Sequence, residues 1–215
     1  MRIAEIFSSI QGESTFSGLP CTFIRVAGCN LSCSYCDTPY AREGGEECTP
    51  EQVCRAVKEA GISLVELTGG EPLLQDESYR IMESLLNDGY RVLLETNGSL
   101  SLEKVDQRVV KIMDLKCPGS GMSDHMAFSN ISCLRPEDEV KFVISDARDF
   151  DWAVRIIRDH GLVQRCNLLI SPVQPNLKPS VAAGWILREK LPLRLQLQLH
   201  TLIWPDKLPG RDRGY

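Results

Sequence analysis

The sequence predicts an α/β fold, a partial, incomplete β/α barrel of about six β-α units. Three observations carry that expectation. Short β-rich apolar runs alternate with helical patterns along the chain. Nearly every such run ends in a polar or glycine-bearing loop: AGCN, TGGEP, ETNGS, DLKCPGSG and ISPVQP. The 215 residues fall short of a typical eight-fold barrel, and no glycine-rich dinucleotide fingerprint follows the first run, as an open doubly wound sheet would have.

In chain order the predicted strands are 22–26, 64–67, 91–95, 111–115, 140–144, 167–170 and 193–199. Several are continuous apolar runs, the pattern of a parallel sheet covered on both faces. The first helix opens at Thr49-Pro50-Glu51-Gln52, with an N-cap, a proline at the first helical position and a capping-box glutamine. Further helical patterns cover 77–87, 150–160 and 180–190. In a β/α barrel the strand-end loops converge on one face, where an active site sits. No repeat, low-complexity tract or linker divides the chain. The expected organisation is a single domain over 1–215: an N-terminal segment at 1–48, a partial barrel at 49–200 and a C-terminal tail at 201–215.

A net charge of −5 gives no electrostatic reason to expect nucleic acid or anionic lipid as a partner. No apolar run approaches the roughly 20 residues that span a bilayer, and MRIAEIFSSIQGE lacks the layout of a secretory signal. A cytoplasmic location is the simplest expectation. The nine cysteines are odd in number and scattered, unlike a disulfide scaffold. Cys54 and Cys166 stand in apolar contexts and read as small buried hydrophobes.

Three cysteines are different. CNLSCSYC places Cys29, Cys33 and Cys36 at C-x3-C-x2-C spacing among polar neighbours. A zinc site would need a fourth ligand, for which Cys21 and Cys48 are the candidates, but no second C-x2-C pair exists. A [4Fe–4S] cluster on three thiolates would leave one iron without a protein ligand. Both readings stay open on spacing alone.

The spacing resembles the radical S-adenosylmethionine (SAM) superfamily. That resemblance implies a barrel of the radical SAM type, in which SAM chelates the vacant iron and is cleaved to a 5′-deoxyadenosyl radical. LTGGEPLL at 67–74 supports it: Gly69 and Gly70 permit close backbone approach, and Glu71 could meet the SAM ammonium. Asn97, in ETNG at the next strand end, Lys116 in DLKCPGSG and Gln174 in SPVQPN are the further SAM-binding candidates.

Residues 5–40 narrow the resemblance. Their E-I-F-x-S-I-Q-G-E, F-I-R, G-C-N-L-x-C and C-D-T elements are similar to the 7-carboxy-7-deazaguanine synthase family. The resemblance implies ring contraction of 6-carboxy-5,6,7,8-tetrahydropterin to 7-carboxy-7-deazaguanine with release of ammonia. It also implies a flavodoxin-type electron donor and a homodimer. It assigns substrate contacts to Ile10, Gln11, Gly12, Arg25 and Thr68, and Mg²⁺ to the Thr38 hydroxyl. The residue chemistry agrees: the Gln11 amide suits a pterin edge, and Arg25, a cation inside an apolar strand, suits either a bidentate pair with a substrate carboxylate or an Arg–Glu pair inside the barrel. Asp37 and Thr38 could instead cap the next turn. Tyr215, at the end of the tail, is a further substrate candidate. The tail departs from the family pattern at His200-Thr201, where members often carry His-Lys.

Overall fold

The computed structural model describes residues 1–204, so Tyr215 lies outside the described residues. One sheet of nine strands organises them, in the order β3-β1-β2-β4-β5-β6-β7-β8-β9. Its strands are β1 (Arg2–Ile10), β2 (Pro20–Val26), β3 (Glu46–Glu47), β4 (Leu64–Gly69), β5 (Arg91–Thr96), β6 (Val110–Asp114), β7 (Glu139–Ile144), β8 (Asn167–Pro172) and β9 (Leu193–Leu195). From β2 to β9 every neighbouring pair is parallel, while β1 pairs antiparallel with both β2 and β3. The two ends do not meet, so the expected incomplete barrel is what forms.

Helices α1 (Pro50–Ala60), α2 (Glu77–Asn87), α3 (Ala147–Asp159) and α4 (Pro179–Glu189) cover the outer face. The predicted capping box of α1 is present, with Thr49 and Gln52 satisfying each other's backbone N–H groups, and Gly61 closes the helix in the left-handed conformation. The crossings from β5 to β6 and from β6 to β7 carry no α-helix; the second runs through 3-10 turns.

Two differences from the sequence expectation matter. Strands β1 and β3 were not expected. The predicted strand 193–199 stops at Leu195, and a short helix, α5 (Leu199–Ile203), follows. The chain leaves the sheet there because Leu199 N–H donates to the Gly12 carbonyl at 2.9 Å, bending the segment over the 11–13 loop.

Alternation along the parallel strands builds two apolar layers. Ile24, Val65, Leu94, Met113, Phe142 and Ile170 face the helices in the main core. Cys21, Phe23, Leu64, Leu93, Val110 and Ile112 form a second cluster, with Phe16 against it. Cys54 and Cys166 pack against the main core half-buried rather than sealed inside it.

The outer layer holds one buried ion pair. Lys111 Nζ donates to Asp138 Oδ2 at 3.2 Å, and the two side chains are 2% and 0% exposed. Asp138 also accepts the backbone N–H groups of Lys111 and Arg135, both at 2.9 Å, joining β6 to the entry of β7. Removing one partner strands the other charge in the core. Asp138→Ala should therefore cost about 3–5 kcal/mol, measured as loss of unfolding free energy in urea.

Candidate active site

The strand-end loops of the parallel sheet converge on a cavity of about 240 Å³. The segment after β2 carries the cysteine triplet, and it is stitched to the glycine loop after β4. Gly70 N–H donates to Val26 O at 3.1 Å, and Glu71 N–H donates to Gly28 O at 2.9 Å. This crossing requires glycine: a Cβ at Gly70 would overlap the Gly28 carbonyl and lie 3.1 Å from Cys29 Cβ. Gly69 has φ +128, and a Cβ there would overlap the Val26 backbone.

Other strand ends hold the same loop. Asn97 Nδ2 donates to Asn30 Oδ1 at 3.0 Å and lies 3.9 Å from Cys29 Sγ. Ser34 bonds the turn at 118–120, through N–H to Ser120 O and Oγ to Gly119 O. Tyr35 OH donates to Val143 O at 3.0 Å. Cys29, Cys33 and Cys36 thereby all line the cavity, half-buried. Burial pushes the Cys33 thiol up, and the Lys116 ammonium pulls it back toward the thiolate.

The donor set fits an iron–sulfur cluster better than zinc. Cys21 is sealed in the inner apolar layer, and neither it nor Cys48 reaches the cavity. Among the described residues no three His, Cys, Asp or Glu side chains converge tightly enough to grip a single ion.

Of the predicted site residues, Ile10, Gln11, Gly12, Arg25, Thr38, Thr68, Gly69, Gly70, Asn97, Lys116 and Gln174 line this cavity with the cysteines. Glu71 does not. It is 0% exposed, and its carboxylate accepts from Leu73 N–H, Thr96 Oγ1 and Asn97 N–H at 2.7–3.0 Å. Burial raises its pKa despite those donors. Its visible work is to hold the Asn97 loop in place.

Thr38 stands at the N-cap of a 3-10 turn (Pro39–Arg42) but makes no capping bond. Its hydroxyl lies 4.0 Å from Cys36 Sγ. The capping role that its position suggested is thus not performed by Thr38.

Gln11 is fixed at both ends of its amide. Nε2 donates to Glu66, and Oε1 accepts from Glu13 N–H at 3.0 Å. Glu66 belongs to a layer of charges on the inner face that the sequence reading missed. Thr68 Oγ1 donates to Glu95 at 2.9 Å. Lys141 pairs with Glu95, with Glu13 at 2.8 Å and with Asp114 at 3.6 Å, while Lys116 pairs with Asp114 at 2.8 Å. Burial, then the neighbouring Glu95 and Glu13 charges, push the Glu66 carboxyl well up. Burial would also raise Glu95, but Lys141 and the Thr68 hydroxyl outweigh it and hold that group down at about 2.

A signal for these residues exists in the sequence. Glu66 in LVELTG and Lys141 in EVKFVI each interrupt an apolar strand at the same alternating parity as Arg25 in FIRV. Of the C-terminal contributors, Gln198 left no local signal, and His200 was marked only by its place in the tail pattern. Gln198 Nε2 donates to Glu13 Oε1 at 3.0 Å, and His200 packs so closely on Gly12 that a Cβ there would overlap its ring.

Residues 23–116 match the Radical SAM superfamily. The chain is 43% identical to the 7-carboxy-7-deazaguanine synthase of Chlorobaculum tepidum, with 96% of each chain covered. It is 41% identical to that of Koribacter versatilis, over 98% of this chain and all of the other. Among solved structures, QueE from Escherichia coli has a TM-score of 0.75 at 20% identity, covering 91% of this chain and 93% of that one. SuiB of Streptococcus suis bound to S-adenosylmethionine has a TM-score of 0.57 at 11% identity, covering 80% and 51%. At those identities the two structures speak for the fold.

The charge layer has a pH signature. Because the folded Glu95 carboxyl sits at about 2 against an ordinary 4.5, its contribution to stability is present above 4.5 and lost as pH falls toward 2. Lys141→Met should destabilise by about 3–5 kcal/mol near neutral pH. That deficit should shrink on acidification through the same window, read by urea unfolding across pH.

Proposed function

The chain belongs to the 7-carboxy-7-deazaguanine synthase family of the radical SAM superfamily, and from that premise we propose how its cavity divides the work. The reaction is the ring contraction of 6-carboxy-5,6,7,8-tetrahydropterin to 7-carboxy-7-deazaguanine with loss of ammonia. A [4Fe–4S] cluster and SAM, when bound, would supply hydrogen-atom abstraction chemistry to this cavity.

Cys29, Cys33 and Cys36 hold the cluster. The backbone at Gly69 and Gly70 borders the SAM site, together with Asn97, Lys116 and Gln174. Glu71 fixes that border from behind, through the Asn97 loop. Gln11, Gly12, Ile10 and Thr68 border the substrate. With its acceptor already engaged by Glu13 N–H, Gln11 offers chiefly its second N–H to the ligand. Arg25 takes the substrate carboxylate. Glu13, Glu66 and Glu95 form an acidic floor suited to the amino and ring N–H donors of a pterin. Thr38 would offer its hydroxyl to a Mg²⁺ ion, a hard cation that takes oxygen donors; the side chain makes no capping bond that would compete for it. The loops over the cavity exclude water from a reactive intermediate.

A homodimer, a flavodoxin-type donor and a cytoplasmic setting complete the proposal. Among the described residues no strand pairs the outer edge of β9, and Leu195, Leu197, Leu202 and Ile203 are exposed, which supports a covering partner. No helix among the described residues is long and apolar enough to cross a membrane.

One observation carries the division of roles: the glycine crossing opens the cysteine loop and the Arg25 strand into a single cavity. Anaerobically reconstituted protein given SAM, reductant, Mg²⁺ and the carboxypterin should release ammonia and form the deazaguanine chromophore. Ala at Cys29, Cys33 or Cys36 should abolish both, and turnover by any such variant would overturn the cluster assignment. Omission of Mg²⁺ with a chelator should lower the rate. Gly70→Ala should keep native secondary structure by circular dichroism yet lose most of its reconstituted iron and sulfide.

A further inference from the structure

We infer that Glu5 is a positioning residue that presets the Arg25 guanidinium, so that its terminal Nη pair alone faces the substrate carboxylate. The inference rests on the proposed contact between Arg25 and that carboxylate, and adds what makes the contact selective.

The placement of Glu5 comes from a break in the strand register. Ile3 pairs with Val26, but the next partners are Glu5 and Arg25, so Ala4 is an extra residue on β1. Without it Ala4 would face Arg25, and every later side chain of β1 would point to the opposite face. With it, Ile3 and Ile6 both reach the main core, while Glu5, Phe7 and Ser9 stand opposite Arg25, Phe23 and Cys21. The irregularity thus brings an acid directly across from Arg25, which lines the cavity with Phe7 and Thr68.

The contacts then fix the guanidinium. Arg25 is 8% exposed, and its Nε donates to Glu5 Oε1 at 2.7 Å. Tyr40 OH donates to the same oxygen, also at 2.7 Å, holding the carboxylate from the side of the Pro39–Arg42 turn. The Phe7 ring lies 5.8 Å from the Arg25 Cζ and is itself stacked on Phe23 with centroids 5.1 Å apart. Across the sheet Gly69 leaves space for the stem, since a Cβ there would be 3.0 Å from Arg25 Cγ.

A guanidinium can fork a carboxylate side-on, through Nε and one Nη, or end-on, through both Nη groups. Glu5 occupies Nε, so the end-on approach is the one left. Glu5 stands behind Arg25, outside the cavity lining, and acts through Arg25 rather than on the ligand.

The test uses the cluster- and SAM-loaded protein and two probes, the 6-carboxypterin and its 6-carboxamide analogue, with dissociation constants measured anaerobically. Glu5→Ala should weaken the carboxylate about tenfold, the scale of one charge-assisted hydrogen bond, while the carboxamide changes less than about twofold. Glu5→Gln keeps an acceptor oxygen and should restore the wild-type preference. Glu5→Asp keeps the charge but falls a methylene short of Nε; it should behave as Glu5→Ala and gives the same reading if the alanine variant does not fold. Equal weakening of both probes, or an unchanged preference in Glu5→Asp, overturns the inference. Arg25→Ala is the separate check: a preference for the carboxylate that survives it removes the underlying contact, whatever Glu5 does.

Discussion

The site depends on one backbone crossing. At Gly28 and Gly70 two loops from adjacent strands approach until no Cβ fits between them. Parallel neighbours end on the same face of a sheet, so their loops always meet there. What is unusual is the closeness, fixed by the hydrogen bonds Gly70 N–H to Val26 O and Glu71 N–H to Gly28 O. A three-thiolate cluster needs its loop held rigidly, because no fourth protein ligand completes the site. Here rigidity is supplied from outside the loop, by Gly70, Asn97, Ser120 and Val143 on successive strand ends.

The same sheet solves a second problem, that of carrying charge next to a packed core. Alternation sends apolar side chains to the helices and leaves the inner face free to change character along its length. Near the strand starts that face is apolar, with Leu64, Leu93 and Val110; nearer the ends it carries Glu66, Glu95, Asp114 and Lys141. Isolated, any of these charges would be expensive to bury. Together they compensate: Lys141 faces three carboxylates, and Glu66, with no cation of its own, is the member that burial and its neighbours push toward the neutral acid. A pterin is rich in N–H donors, so a floor of carboxylates suits the substrate proposed for it.

How much of this was legible follows from which interactions are local. The parallel strands and α1 could be read because period, capping box and apolar runs are short-range signals. β1 was hidden by its own irregularity. Ile3, Ile6, Phe7 and Ile10 fall at i, i+3, i+4 and i+7, a helical spacing, because the extra residue Ala4 shifts the parity of everything after it. The cysteines, glycines and Arg25 were found through motif and strand context. Glu66 and Lys141 obey the same rule that exposed Arg25, a charge inside an apolar strand, and were legible in principle. Gln198 and His200 were not, since their contacts with Glu13 and Gly12 span most of the chain.

The division between the two halves of the cavity has a structural cause. The side proposed for the cluster and SAM is built from the parallel strands β2, β4, β5 and β6, whose positions are fixed by the main core. The side proposed for the substrate is built from β1, the 11–15 loop, and the segment after β9 that folds back onto Gly12. Those pieces are antiparallel or irregular and carry fewer buried apolar side chains, so they can vary without disturbing the sheet. Arg25 sits on the boundary. Its strand belongs to the barrel, but its orientation is set by Glu5 and Phe7 from the added strand. On the proposed reading, a radical-generating scaffold acquires a carboxylate-selective site through one antiparallel strand and one extra residue within it, and the chemistry of the barrel does not have to change.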